Sequence, residues 1–286
     1  MEKMKATYTK NLTLPVGSWN IFQNKSSQKS SIKLYDLQCY SNEVLVRNFI
    51  PCFRKSDEEI GLYDIINGEF YTNQGTGKFK RSLIEGEKRY QALEYIESTG
   101  TQYIDTGVVT KDTINFEIDT KYIGGGSNTA LPIFGSRTTG GSSLKHAIWI
   151  QKTTNYVGFN FGGIDTGYLS NTNMKERQIL KNFGPELYYN DSLIYSGNEQ
   201  SFSSDLTLTL FALNTNSGIN NRQVSMDLYS CKIWDNGKLV RDFIPCYDKL
   251  EDKYGLYDLV ENKFYENKGT GDDFTPGPPV DIEIGE

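Results

Sequence analysis

LVRDFIPCYDKLEDKYGLYDLVENKFYENKGTG, from Leu239 to Gly271, has an earlier counterpart in the same chain. From Leu45 to Gly77 the sequence reads LVRNFIPCFRKSDEEIGLYDIINGEFYTNQGTG. The two are offset by 194 residues (239 − 45), and the offset holds without a gap back to Leu12 against Leu206. Over that window 26 of 66 positions are identical, against roughly four for unrelated chains. The chain carries a duplication, and only the second copy has a full-length unit in front of it.

The local pattern in both copies is that of hairpins. In LYSCKIWDNGKLVRDFIPC, Asp235-Asn236-Gly237 supplies residues that tolerate the left-handed turn conformation. Copy one has Asn42-Glu43 there, a weaker turn signal. A charged loop follows, then GLYD opens a second hairpin, with Asn67-Gly68 at its tip in copy one and Glu261-Asn262 in copy two. Pro51 and Pro245 are expected to end a strand, with the preceding Phe and Ile entering the core. Arg47 and Arg241 are expected to tie loops together through Asp64 and Asp258. These six residues are of scaffold type, because a feature kept in an incomplete copy points to folding rather than to chemistry.

Upstream and downstream the same all-β reading holds. Leu12-Thr13-Leu14 and Leu206 to Leu210 alternate with a period of two, as do Thr113 to Tyr122 and Tyr156 to Phe161. Leu131–Gly135 and Ala147–Ile150 read as core strands, and Glu186 to Tyr195 as a hairpin around Asn190-Asp191. Short strands at this density, with no sustained 3.6-residue period, predict an all-β sandwich or barrel. The charged stretch 78–90 is the expected linker, with room for a short helix. The expected organisation is residues 1–86 as partial repeat and linker, 87–276 as the complete domain, and 277–286 as an extended acidic, proline-rich tail that pairs with another edge or chain.

Composition narrows the partners. Of 286 residues, 37% are hydrophobic, and the net charge is −6 with no basic block, which argues against nucleic acid. No apolar run approaches the ~20 residues of a membrane span, and the first residues lack the apolar segment of a secretory signal. The four cysteines are too few for a disulfide framework. Each reads as a small buried hydrophobe, with Cys39–Cys52 or Cys231–Cys246 bridges the lesser alternative.

LEYIESTGTQYIDTG (Leu93–Gly107), IFGSR (Ile133–Arg137), the YYNDSLIY hairpin (Tyr188–Tyr195) and the closing double hairpin together resemble a concanavalin A-like, laminin-G-type jelly-roll module. The version resembled occurs in phage and prophage structural proteins of gut bacteria. The likeness covers roughly residues 91–276, with 11–79 as a partial copy of the last third. It implies two curved antiparallel sheets packed face to face. It implies a non-enzymatic virion surface protein, a capsid decoration, head fibre or tail adsorption component, made in the bacterial cytoplasm. Other virion proteins or copies of itself would be its partners, with host-surface glycans as a further ligand. The alternatives are a carbohydrate-binding adhesin module at a bacterial cell surface and, more distantly, a glycoside hydrolase. A C-terminal third cannot close a jelly roll, so the first copy needs something to cover its apolar residues.

The chemical signals are sparse. Glu117 and Asp119 lie two apart on one strand, as in the acidic pair of jelly-roll glucanases, but the glutamate expected soon after is absent. The bland reading, an outward polar face, is the expected one, and no catalytic residue is assigned. His146 is the only histidine, which excludes a multi-histidine metal site. Asp105, Asp119 and Asp165 could help hold Ca²⁺, but no D-x-D-x-D loop is present, and no cofactor is expected. Gly124-Gly125-Gly126 opens no helix and is not a phosphate cradle. Trp149, Tyr156, Tyr168, Tyr188, Tyr189 and Trp234 could stack on sugar rings. Of these Trp149, Tyr156 and Tyr168, with Asn160, form the expected glycan-binding set.

Overall fold

The computed structural model describes residues 33–57, 59–75, 77–83, 86–126, 128–138, 145–220 and 224–284. The expected strand at Leu12–Leu14 lies outside them. The described chain is all-β, with no helix, and divides into two compact units, residues 1–79 and 80–286.

The first unit is a four-stranded antiparallel meander of β1 (Leu37–Ser41), β2 (Val44–Arg54), β3 (Glu59–Asp64) and β4 (Glu69–Tyr71). In the second unit the strands run in chain order β5 (Tyr90–Ala92), β6 (Ile96–Thr99), β7 (Ile104–Lys111), β8 (Ile114–Gly125), β9 (Ala130–Arg137), β10 (Lys145–Gln151), β11 (Val157–Gly162) and β12 (Ile164–Leu169). They continue through β13 (Gln178–Phe183), β14 (Glu186–Tyr189), β15 (Ser192–Tyr195), β16 (Ser203–Leu210), β17 (Leu213–Thr215) and β18 (Gly218–Asn220). The last are β19 (Val224–Asp235), β20 (Lys238–Asp248), β21 (Lys253–Asp258), β22 (Lys263–Glu266) and β23 (Thr275–Pro276).

Two sheets form the second unit. The larger has the order β15-β14-β13-β8-β19-β20-β21-β22, with β5, β6 and β23 attached; the smaller has the order β12-β11-β10-β9-β16-β7, with β17 and β18 attached. One core lies between them. Ile114, Phe116, Ile118, Leu180, Cys231, Ile233 and Phe243 come from the larger sheet and Ile133, Ile148, Ile150, Phe159, Phe161 and Leu210 from the smaller. Phe116 meets Phe134 across the interface at 5.1 Å between ring centres. The alternation in β8 puts Ile114, Phe116 and Ile118 inward and leaves Asn115, Glu117 and Asp119 half-buried on the other face.

The duplication is visible strand by strand. β1 pairs with β2 as Leu37↔Phe49 through Tyr40↔Leu45, with a bulge after Cys39. β19 pairs with β20 as Cys231↔Phe243 through Trp234↔Leu239, with its bulge after Ile233. The positions match at the 194-residue offset, and the next two ladders match as well. Asn42 and Glu43 have φ of 47° and 66°, as Asn236 and Gly237 have 50° and 76°. Copy one thus makes the same turn with a glutamate in a left-handed conformation, which costs about 1–2 kcal/mol relative to glycine.

In both copies the aspartate of GLYD fastens one hairpin to the next. Asp64 is fully buried, and its Oδ1 accepts the backbone N–H of Asn48 at 3.0 Å and of Ile66 at 3.1 Å. Asp258, equally buried, accepts from Asp242 at 2.9 Å and Val260 at 3.0 Å. The second oxygen faces an arginine Nε, Arg47 at 3.5 Å in one copy and Arg241 at 3.6 Å in the other. These are ion-pair distances, longer than a hydrogen bond. Arg241 also donates from Nε to the Thr106 carbonyl at 2.9 Å, linking β20 to β7 of the facing sheet. Gly61 and Gly255 occupy the tightest point, where an added Cβ would come within 2.2 Å and 2.3 Å of the carbonyls of Tyr71 and Tyr265.

Several expectations need correction. Pro51 and Pro245 do not end their strands: β2 and β20 run on to Arg54 and Asp248. Pro245 lies where the edge of β20 passes from β19 to β5, with its carbonyl accepting the Leu93 N–H at 2.9 Å. Its missing N–H removes no bond from the β21 ladder. Phe49 and Phe243 are buried, but strand alternation sends Ile50 and Ile244 to the opposite face. Residues 80–83 and 86–89 form no helix and belong to the second unit, where Arg89 makes two hydrogen bonds to Asp248. The tail, expected to pair with another edge or chain, pairs with an edge of its own unit. Gly277 and Val280 donate to the carbonyls of Tyr95 and Ala92, and Ile284 is buried with Ala92, Cys246 and Tyr257. All four cysteines are free. Cys231 and Cys246 are buried, and burial pushes the Cys246 thiol up to about 12, whereas Cys39 and Cys52 are only half-buried.

What covers the second copy differs from what covers the first. Tyr257 is 2% exposed beneath Tyr90, whose ring lies 4.7 Å away, but its counterpart Tyr63 is 36% exposed. Tyr90 also stacks on Phe264. In the first unit the Arg54 guanidinium stands 4.4 Å over the equivalent Phe70, held by two hydrogen bonds to Asp57. Arg54 occupies the position of Asp248, so one substitution removes the partner of an Arg89-type strand and caps the aromatic ring instead.

His146 is buried among Phe116, Phe134, Phe159, Phe161 and Phe202, with neither ring nitrogen hydrogen-bonded. Burial lowers its pKa from 6.5 to about 3. The unfolded chain therefore binds a proton below pH ~6.5 that the folded chain refuses until about pH 3. Stability contributed by this group is full above pH ~6.5 and falls by of order 4 kcal/mol as the pH drops toward 3. His146→Leu is expected to remove that part of the acid slope, read as a smaller loss of unfolding free energy between pH 7 and 4 than in the parent.

The buried aspartates give a second prediction. Asp258→Ala strips two backbone donors of their acceptor, while Arg241 keeps its ion pair with Glu261 at 2.6 Å. A loss of about 2–4 kcal/mol is expected from the two unsatisfied donors, with hydrogen-exchange protection lost at Asp242 and Val260. Asp64→Ala is expected to expose the amides of Asn48 and Ile66 in the same way.

Candidate functional site

The outer face of the smaller sheet carries a polar depression of about 230 Å³. It is lined by Ala130, Arg137, Lys145, Trp149, Gly158, Asn160, Asp165, Gly167 and Tyr168. Period-two alternation produces it. In β10 and β11, Ile148, Ile150, Val157, Phe159 and Phe161 enter the core, which turns Trp149, Gly158 and Asn160 to the other side. Gly158 opposes Trp149 in the ladder, and a Cβ there would come within 2.8 Å of the Gly167 carbonyl and 3.3 Å of the Tyr168 ring.

Trp149 forms the floor. It is 7% exposed and packs with Ala130, Ala147 and Leu213. Its Nε1–H donates to Asn160 Oδ1 at 2.7 Å, and Asn160 is itself buried. Asp165 and Lys145 form one wall, with Nζ to Oδ2 at 3.1 Å. Partial burial works to raise the Asp165 pKa, but the Gly167 N–H and the Lys145 ammonium outweigh it and hold the carboxyl below its ordinary value. Tyr168, 38% exposed, stands at the rim. An apolar floor with oriented polar walls is the usual equipment for binding a ring that is apolar on one face and hydroxylated at its edge.

Of the expected set, the structure brings Trp149, Asn160 and Tyr168 together. Tyr156 lies in the β10–β11 turn, where its carbonyl accepts the Gln151 N–H, and does not line the depression. Tyr188 and Tyr189 belong to β14 and Trp234 to β19, all in the other sheet. Trp149 is a buried floor rather than an open platform. Arg137, Lys145 and Asp165 were not in the expected set. Their signal was Arg137 and Lys145 at the two ends of one hairpin loop, which places them opposite each other on β9 and β10.

The remaining chemical signals separate. Glu117 pairs with Lys181 at 3.1 Å and Asp119 with Arg177 at 2.8 Å, on the outer face of the larger sheet. Asp105, on β7, accepts the Gly107 N–H, so Asp105, Asp119 and Asp165 do not converge. Among the described residues no cluster of His, Cys, Asp or Glu could hold a metal ion. Asp227 is the carboxyl pushed furthest up, to about 6, by burial and by Glu97, with Lys121 opposing. It lies on β19, in the other sheet from the depression. Among the described residues no helix is long and apolar enough to cross a membrane.

No family model matches the chain, and neither the curated proteins nor the solved structures contain a significant match.

The Trp149–Asn160 bond is testable by itself. Trp149→Phe leaves Asn160 Oδ1 without its donor in a buried place, an expected loss of about 1–3 kcal/mol in urea unfolding. Adding Asn160→Leu to that variant is expected to recover part of the loss, because both polar partners are then gone.

Proposed function

We propose that this chain is a non-enzymatic β-sandwich protein of the bacteriophage particle surface, whose depression on the smaller sheet binds a saccharide of the host envelope. The observation that carries the binding part is the depression itself. A tryptophan is fixed by a buried asparagine and flanked by an oriented Lys–Asp pair and an exposed tyrosine. Such an arrangement orients hydroxyl groups above an apolar floor. The virion part rests on the likeness of residues 91–276 to the jelly-roll modules of phage structural proteins. The non-enzymatic part is supported by the commitment of Glu117 and Asp119 to separate cations rather than to each other across a cleft. A shallow site of this kind binds weakly alone and gains strength from many copies on one particle.

The test is retention of the intact chain on surface polysaccharide from the bacterium that hosts the phage, with particle proteins probed in parallel. Binding is expected, and Tyr168→Ala is expected to weaken it about tenfold, or ~1.4 kcal/mol. A chain that binds no polysaccharide and is absent from purified particles would contradict the reading.

A further inference from the structure

Arg137 lines the depression, is half-buried, and makes no hydrogen bond or ion pair with any described residue. Its ladder partner is Lys145, so two cations face each other across β9 and β10. Like charges directly opposite on a sheet are unfavourable. Only one carboxylate, Asp165, answers them, and it is taken by Lys145. The depression therefore holds one surplus positive charge in a chain whose net charge is −6. Every other polar group of the floor is spoken for: the Trp149 N–H by Asn160, and the Asn160 oxygen by Trp149. Among the described residues of the lining, Arg137 presents an uncommitted fork of planar donors.

We infer that the depression selects a saccharide bearing a carboxylate, a uronic-acid or sialic-acid type of residue, with Arg137 as the group that reads it. This rests on the saccharide-binding reading above. A guanidinium and a carboxylate match in plane and spacing, so two parallel N–H···O bonds form at once. One negative charge balances the one surplus positive charge. A sulfate ester presents three oxygens in a tetrahedral array rather than two in one plane. A neutral sugar offers the guanidinium only uncharged hydroxyl oxygens, whose hydrogen bonds are weaker than those of a carboxylate.

The experiment is calorimetric titration of the intact chain with oligouronates, with their carboxyl-reduced neutral counterparts and with O-sulfated neutral oligosaccharides of equal length. The uronate is expected to bind at least tenfold tighter than its reduced form, with the difference shrinking as salt is raised. Arg137→Gln is expected to bring that ratio close to one, and Arg137→Lys to leave an intermediate ratio. Thermal unfolding of both variants serves as the folding control. Equal binding of uronate and neutral sugar, or a preference unchanged in Arg137→Gln, overturns the inference while leaving saccharide binding intact. Equal, Arg137-dependent binding of the sulfated sugar overturns the assignment to a carboxylate. No binding of any of the three removes the saccharide reading itself.

Discussion

A buried aspartate with two backbone donors holds the closing hairpins together. Asp258 accepts from Asp242 in one hairpin and Val260 in the next, so the β19–β20 and β21–β22 pairs cannot shift relative to each other without breaking a buried bond. The facing Arg241 carries that constraint to Thr106 in the other sheet. Register across the end of the sandwich follows from this one side chain. The same aspartate, the same arginine and the same glycine under the tyrosine recur in the first unit. The recurrence, with no facing sheet among the described residues of the first unit, marks the double hairpin as a folding unit with its own internal fastening.

Much of this was legible in the sequence. The fixed 194-residue offset identified the two hairpin pairs, and period-two alternation in 113–122 and 156–161 identified the core faces of β8 and β11. What was not legible came from long-range competition. The tail was read as an extended segment pairing with another edge or chain; what the sequence did not identify is the edge, which is that of its own unit, where Gly277 and Val280 donate to Tyr95 and Ala92. The charged stretch 78–90 was read as a linker with room for a short helix. Its charges are instead engaged in ion pairs, Glu87 with both Arg81 and Lys249, Lys88 with Glu283 and Arg89 with Asp248. Pro51 and Pro245 were read as stops because a proline removes a ladder donor, but at Pro245 the edge of β20 passes from β19 to β5 and has no ladder bond to lose.

The site was half legible. Trp149 between two isoleucines signalled a side chain facing away from the core, and Asn160 and Tyr168 fell on the same side. Aromatic content alone could not separate them from Tyr156, whose strand phase is lost in a turn, or from Tyr188 and Tyr189, which belong to the other sheet. The charged members were hidden because their significance lies in pairing. Arg137 and Lys145 are unremarkable until the β9–β10 register sets them opposite each other, with one aspartate, paired to Lys145, for two cations. Conversely, the carboxylates that looked catalytic or calcium-binding in sequence, Glu117, Asp119 and Asp105, disperse into ordinary surface pairs and a turn.

The two units carry the same hairpins for different surroundings. In the second, Tyr90 and the tail seal the outer face; in the first, Arg54 stands over Phe70 and Tyr63 remains open. The depression proposed to bind a saccharide lies in the second unit, and the first has no counterpart of β9 to β12 among the described strands. The most direct test is a ¹⁵N–¹H spectrum of the indole groups during titration with an acidic oligosaccharide. The chain has three tryptophans, Trp19, Trp149 and Trp234. Binding at the depression predicts that the Trp149 indole signal moves in step with occupancy while the Trp234 signal stays in place. A saturating titration that leaves Trp149 unmoved would contradict the account.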